Sequence, residues 1–406
     1  MGLRAYRNLS QILTLEGAFQ KNGRHLKPND LGVIENATVV FDQEKILWVG
    51  ADKNLPEEYQ HIPSRDFKGK TLTPELVDSH THLIFGGNRS HEYTMRLNGA
   101  TYEEIAQAGG GILNTMNGTN SLTAQQLFDI CVERIERLYS YGVGTIEIKS
   151  GYGLNLKKEL ELSTLIDNLK KYFHPRIQIF NTYMAAHAVP KDFQSSADYM
   201  DKVVMPLLEK LAPLKIIDAV DIFHEKGYFS TEDVKKLFER AKALGIPCKV
   251  HADEFVDNKG AILACEYKAL SCDHLLSTAE DGITALSNAD TVATLLPGTG
   301  FFLGKKQADG KKMLDAGAKV AVASDYNPGS CHCDNLLMVA ALAAPQYKMN
   351  IAELWAAITL NSAHALGLKK QGAIVPGLAP RFSLFSVEKA DMITYSWGRN
   401  FAERIS

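Results

Sequence analysis

"PELVDSHTHLIFGGNRSHEY" (residues 74–93) is the stretch from which the fold is read. A short apolar run ends in His80, skips one residue and reaches His82. Residues two apart on a strand point the same way, so both imidazoles share one face and Ser79 and Thr81 take the other. A His-x-His pair by itself also fits an ordinary surface or structural pair. Its meaning depends on what stands at the ends of other strands.

Working outward, β-branched runs recur at 76–82, 143–149, 177–183, 218–223, 247–251, 269–274, 291–296 and 319–325. Helical patterns fill most gaps. "AQQLFDICVERIERLYSYG" (124–142) is one; "STEDVKKLFERAKALG" (230–245) is another, opening on Ser230 and closing on Gly245 before Pro247. Eight strands alternating with helices predict a parallel (β/α)8 barrel of the TIM type, with a doubly wound open sheet as the competing topology. Both chain ends read differently. "ATVVFDQEKILWVGAD" (37–52) is hairpin-like, and "RFSLFSVEKADMITYSWG" (381–398) is strand-like. Residues 1–72 and 372–406 are therefore expected to build a small β-sandwich domain, and residues 73–371 the barrel.

In barrels of this kind the chemical groups stand at the C-terminal strand ends. That filter keeps His80 and His82 on the first strand, His251 ("CKVHADE") on the fifth, His274 ("LSCDH") on the sixth and Asp325 ("VAVASDYNPGS") on the eighth. Each has a plainer reading, as a satisfied core histidine or, for Asp325, a turn residue or helix N-cap. Their coincidence at the strand ends of one barrel favours a metal. Neutral imidazoles with one carboxylate suit Zn²⁺ or Fe²⁺ and leave a position for water, whose pKa falls to about 7 on such an ion.

The bulk numbers narrow the classes. Of 406 residues, 45% are apolar and 22% charged, as in a globular enzyme, and a net charge of −3 gives no footprint for nucleic acid. No apolar run approaches the ~20 residues of a membrane span. The N-terminus shows neither a signal peptide nor a myristoylation signal. Six cysteines in so long a chain are no disulfide framework, and a cytoplasmic location is expected.

The motifs "HTHLIFGGNR" (80–89), "GGGI" (109–112), "EIKSGYGL" (147–154), "AAHAVP" (185–190), "HADEF" (251–255) and "SDYNPGS" (324–330) resemble the amidohydrolase superfamily, over nearly the whole chain. The histidine motifs reach the superfamily; "KSGYGL" and "NPGS" resemble the branch that hydrolyses 4-imidazolone-5-propanoate to N-formimino-L-glutamate in histidine degradation. The resemblance implies one metal ion, zinc or iron (2+ or 3+), held by His80, His82, His251 and Asp325. It implies that Asp325 takes a proton from the attacking water, that His274 polarises the carbonyl, and that Glu254 serves the ring N–H and the leaving nitrogen. Arg89, beyond the flexible Gly86-Gly87, would grip the propionate with its planar fork. Tyr152 and His187 would contact the same end, and Asn327, Gly329 and Ser330 the rest of the ligand. The partner is thus a small-molecule substrate. A homodimer is compatible with such enzymes, although no interface motif is readable.

Other features point elsewhere. "CHCD" (331–334) looks like a metal cluster, but adjacent residues converge poorly on one ion, and Cys331 and Cys333 read as buried thiols. "GGGI" lacks the rest of a phosphate loop and reads as a mobile loop at the pocket mouth. His91 and Glu92 read as surface positions. Lys149 is tempting as the carbamylated lysine of two-metal relatives, but it falls on the second strand rather than the fourth. Glu225, at the fourth, is the remaining candidate for a bridging ligand. Two competing functions stay open: a deaminase of the same superfamily, which would release ammonia, and a metal-free binding or scaffold protein.

Overall fold

The computed structural model describes residues 2–101, 104–105 and 108–405. The chain opens with β1 (Arg4–Leu13), β2 (Val33–Phe41), β3 (Ile46–Ala51), β4 (Ser64–Asp66) and β5 (Thr71–Pro74). Eight parallel strands follow: β6 (Leu76–Asp78), β7 (Val143–Lys149), β8 (Gln178–Ala186), β9 (Ala219–His224), β10 (Lys249–Ala252), β11 (Ser271–His274), β12 (Val292–Leu295) and β13 (Val320–Val322). Near the C-terminus β14 (Phe382–Phe385) and β15 (Ala402–Glu403) return to the first sheet.

Strands β6 to β13 neighbour one another in strict chain order. A doubly wound sheet would reverse at a switch point, so that topology is excluded. The ring closes where Thr81 bridges Tyr326, and where the amides of His82 and Asp325 donate to the carbonyls of Tyr326 and His80, both at 3.0 Å. Alternation then divides each strand. Ile146, Ile148, Val220, Ile222 and Val250 join the main apolar core under the helices. Glu147, Lys149, Asp221, Lys249, His251 and Asp273 take the opposite positions, are buried, and meet across the ring.

Two helices show how local sequence supports this frame. Ala124–Ser140 starts with a reciprocal Thr123–Gln126 capping box. Its Arg134 donates to the carbonyls of Leu83 and Phe85, each at 2.7 Å, and stacks 3.5 Å from the Phe85 ring. The turn after His82 is thereby fixed. Gly86 completes that turn by lying against Gly118, where a Cβ would stand 2.4 Å from the carbonyl oxygen. Thr231–Ala243 is capped by Ser230 and ends before Gly245, which takes the left-handed conformation.

The chain ends form one mixed sheet, ordered β15-β14-β5-β1-β2-β3, with β4 also paired to β1. It bends at a bulge between Tyr6 and Leu9. Phe41 of β2 and Phe382 of β14 therefore meet at 5.4 Å with two strands between them. The expected sandwich is a single sheet folded around Leu9, Ile12, Val39, Leu72 and Leu384. In the tail, only Phe382–Phe385 of the strand-like stretch is strand. Asp391–Tyr395 is a short helix, with Asp391 in its first turn and Ile393 buried in the core.

Candidate metal centre and substrate pocket

His80 and His82 leave the end of β6 side by side, and His251 reaches them from β10. The Nε2 of His82 lies 3.3 Å from that of His80 and 3.2 Å from that of His251. Asp325 Oδ1 stands 3.5 Å from His80 Nε2 and 3.8 Å from His82 Nε2. Metal–nitrogen bonds of 2.0–2.1 Å in tetrahedral array separate donors by roughly 3.3 Å, so this spacing fits one ion. Among the described residues, His80, His82 and His251 form the one such cluster of three or more donors.

The tautomers agree. His80 Nδ1 lies 2.7 Å from Asp273 Oδ2, and His251 Nδ1 lies 3.1 Å from Asp221 Oδ1. A carboxylate only accepts, so both Nδ1 atoms carry the proton and both Nε2 lone pairs face the centre. Burial, followed by Lys149 for His80 and His187 for His82, holds those imidazoles well below their usual pKa. Burial lowers His251 to about 3, despite the raising effect of Asp221. All three are neutral at pH 7, as ligation requires.

Beneath the cluster lies a closed ionic layer. Lys149 Nζ stands 2.6 Å from Asp221 and 2.8 Å from Glu147, and Lys249 Nζ stands 2.9 Å from Glu147 and 2.8 Å from the Ser79 carbonyl. Burial alone would lower the Lys149 pKa, but Asp221, Glu147 and Asp273 raise it above the ordinary lysine value. An ammonium among three carboxylates is not a carbamate bridge. Glu225 is buried too, but its oxygens accept from the amides of Lys226 and Phe255, both at 2.8 Å, and from Asn258 Nδ2 at 3.2 Å. It shapes the loop that carries Glu254.

At the mouth, two carboxyls have pKa values near neutrality. Burial raises Glu254 to about 7, against a lowering influence from Lys305. Burial raises Asp325 to about 6, while His274 and the 2.5 Å hydrogen bond from Thr299 lower it. His274 departs from strand alternation through a left-handed φ of 80°, and its ring centroid lies 5.2 Å from that of His251. Its Nε2 stands 3.8 Å from Glu254 Oε2. Asp253 (φ 52°) and Asp325 (φ 51°) are left-handed as well. Non-glycine residues in that region concentrate at functional sites.

The remaining wall joins several expected residues. His187 stacks on His82 with centroids 4.8 Å apart, and Tyr152 lies 5.2 Å from His187. His187 Nδ1 donates to the Gly151 carbonyl at 3.1 Å, and burial lowers the ring to about 4. Arg89 reaches the 327–330 loop and lies against Gly329, where a Cβ would fall 1.9 Å from its Nη1 and would displace the guanidinium. Asn327 spends its polar atoms inside that loop. Its Oδ1 accepts from the amides of Gly329 and Ser330, both at 2.8 Å, and its Nδ2 donates to the Asp325 carbonyl and Ser330 Oγ at 2.7 and 2.8 Å.

Glu92 corrects an expectation. It is 5% exposed rather than a surface group, whereas His91 is exposed. Its Oε2 takes Arg89 Nε at 2.9 Å and Nη2 at 2.8 Å, and its Oε1 accepts from the Gly111 amide at 3.0 Å. The i,i+3 spacing of Arg89 and Glu92 was the available signal. The "CHCD" residues diverge: Cys331 packs on Gly298, His332 faces Phe85 and Tyr326, and Asp334 pairs with Arg137 at 2.8 Å. Cys331 is buried and Cys333 half-buried.

A TIM-type barrel with this donor cluster at its mouth defines a class of metal-dependent hydrolases, and residues 71–400 match the Amidohydrolase family. An imidazolonepropionase from Agrobacterium fabrum is 41% identical over 374 residues, covering 91% of this chain and 89% of the relative. An imidazolonepropionase from Geobacillus kaustophilus is 38% identical over 405 residues, covering 98% and 95%. The chain belongs to the amidohydrolase family and, within it, to the imidazolonepropionases. A solved mutant of atrazine chlorohydrolase TrzN from Arthrobacter aurescens, complexed with zinc and atraton, shares the fold with a TM-score of 0.76 at 15% identity, covering 98% of this chain and 93% of that one. An adenosine deaminase from Xanthomonas campestris with bound zinc does so with a TM-score of 0.71 at 14% identity, covering 98% and 90%.

Proposed function

We propose that the protein hydrolyses the cyclic amide of 4-imidazolone-5-propanoate to N-formimino-L-glutamate, in the breakdown of histidine. The observation that carries this is the convergence of three neutral imidazoles and the Asp325 carboxylate, in a chain of imidazolonepropionase kinship. His80, His82, His251 and Asp325 would hold one ion, zinc or iron. When bound, that ion supplies a water acidic enough to lose its proton near pH 7.

The chain's own residues do the rest. Arg89, anchored by Glu92, is available to the propionate, with Tyr152 and His187 along the same wall. Gly329 and Ser330 border the other side of the ligand, on a loop braced by Asn327. Asp325 accepts the proton of the attacking water. His274 stabilises the carbonyl oxygen as it gains charge. Glu254 accepts a hydrogen bond from the ring N–H and delivers a proton to that nitrogen as the carbon–nitrogen bond breaks. The two sheets support a division into a β unit from residues 1–72 and 372–406 and a catalytic barrel from 73–371. No helix among the described residues is long and apolar enough to cross a membrane. We place the enzyme in the cytoplasm, acting on a small molecule rather than nucleic acid or membrane, as a homodimer to be tested by sedimentation.

The test is turnover of imidazolone propionate, followed by loss of its ultraviolet absorbance, with metal content measured on the same sample. Stoichiometric zinc or iron and no ammonia are expected. Ammonia release would instead favour the deaminase reading, and a metal-free, inactive protein unresponsive to Zn²⁺ or Fe²⁺ would favour a scaffold.

A further inference from the structure

We propose that Lys149 is a positioning residue for the metal centre: a buried ammonium that grips the Asp221 carboxylate steering His251 and, together with Lys249, faces the Asp273 carboxylate steering His80. The inference rests on the metal reading of His80, His82 and His251. Three strands contribute. Lys149 ends β7, Asp221 lies on β9 and Asp273 on β11, and these strands are not neighbours in the ring. Lys149 Nζ touches Asp221 Oδ2 at 2.6 Å and faces Asp273 Oδ2 at 3.7 Å. The other oxygen of Asp221, Oδ1, takes His251 Nδ1 at 3.1 Å, and Asp273 Oδ2 takes His80 Nδ1 at 2.7 Å. His251 is therefore aimed through the Asp221 that Lys149 grips, while the Asp273 behind His80 is shared by Lys149 and Lys249, at 3.7 and 3.9 Å. Every side chain in this relay except His251 is fully buried, and His251 is 3% exposed.

Without the ammonium, Asp221 would lack the partner of one oxygen and would be free to rotate away from His251. Outer partners of this sort set ligand orientation and basicity, and their loss costs roughly 10–100-fold in metal affinity. Lys249 is a natural control. It is equally buried and shares Asp273 with Lys149, at 3.9 Å, but its near contacts are Glu147 at 2.9 Å and the Ser79 carbonyl at 2.8 Å, so the contrast between the two lysines lies at Asp221. It stabilises the layer without gripping Asp221.

The experiment uses two charge-conserving double variants, because a lone buried carboxylate could prevent folding. Lys149→Met with Glu147→Gln removes one charge of each sign and keeps side-chain volume. Lys249→Met with Glu147→Gln makes the same change around the control lysine. Loss of Zn²⁺ to a chelator is timed, and the visible spectrum of the Co²⁺-loaded proteins is recorded. The first variant should release metal at least about tenfold faster than wild type and show an altered Co²⁺ spectrum. The second should stay within about threefold of wild type. Asp221→Asn tests the same relay should the first variant not fold; it keeps an acceptor for His251 but loses the ion pair, and should also release metal about tenfold faster. Wild-type retention in Lys149→Met/Glu147→Gln, or in Asp221→Asn if that variant does not fold, would overturn the proposal, as would equal losses in the two double variants. A wild-type protein that binds no stoichiometric metal would instead overturn the metal reading itself.

Discussion

Glu254→Gln isolates the proton carried to the leaving nitrogen. Burial shifts this carboxyl from its ordinary value of 4.5 to about 7. At pH 7 about half of the Glu254 population then holds a proton, against about 0.3% at the ordinary value, a gain of roughly 150-fold in the acid form. Glutamine has the same shape and can still accept a hydrogen bond from the ring, but has no acidic proton. The expected loss in kcat is about 10²–10⁴-fold, the usual worth of a positioned acid or base, with KM changed far less. The pH profile supplies the sign. An acid is active below its pKa, so the Glu254-dependent limb of kcat should fall as pH rises through about 7, and it should vanish in the glutamine variant. Lys305 lowers the Glu254 pKa, so Lys305→Met should move that limb to higher pH. The assay is steady-state absorbance kinetics from pH 5.5 to 9. A limb that persists unchanged in Glu254→Gln, or a variant with near wild-type kcat, would refute the assignment.

Arg89→Ala should mainly raise KM, with a loss of roughly 2–5 kcal/mol in kcat/KM if the propionate pairs there out of water; unchanged kinetics would show that the tail binds elsewhere. Asp325→Ala should abolish turnover and weaken metal retention, read by activity and metal analysis together. Metal uptake by the stripped protein should fall as pH drops through about 6, where Asp325 takes up its proton. His251, lowered to about 3, remains neutral through that range, so titration calorimetry at pH 5 and 7 would separate the carboxylate from the imidazoles.

The barrel was legible because strand alternation leaves a strong trace when the outer face is rich in Val and Ile and charged residues take the inward positions, as in β7 and β9. All eight strands lie where those runs predict. The cluster was legible because His80 and His82 follow the end of one strand two residues apart, and because barrel geometry says which other strand ends can reach them. The tail was misread over 391–395, which forms a short helix with Asp391 in its first turn and Ile393 buried. Glu92 was misread because a short amphipathic segment beside a loop gives no sign of which face is covered. Its i,i+3 spacing from Arg89 was visible, but Gly111, which completes its burial, approaches it only in the folded chain.

The deeper omission concerns Asp221, Asp273 and Lys149. Each was visible as a charged residue inside an apolar strand, in "AVDIFH", "LSCDH" and "GTIEIK". A charge in such a place demands a partner, because an isolated buried ion is far costlier than a paired one. What no linear pattern supplies is the pairing, since β7, β9 and β11 are separated in the ring and meet only across its interior. The same geometry explains why this barrel tolerates an ionic interior. Its acids are not spare charge: Asp273 and Asp221 accept from the Nδ1 atoms of His80 and His251, and the lysines beside them favour their ionised forms against the cost of burial. The unusual polarity of the core and the aim of the histidines thus follow from one arrangement. A charged residue alternating inward with Val or Ile in a predicted barrel strand is accordingly a signal of support beneath a strand-end site.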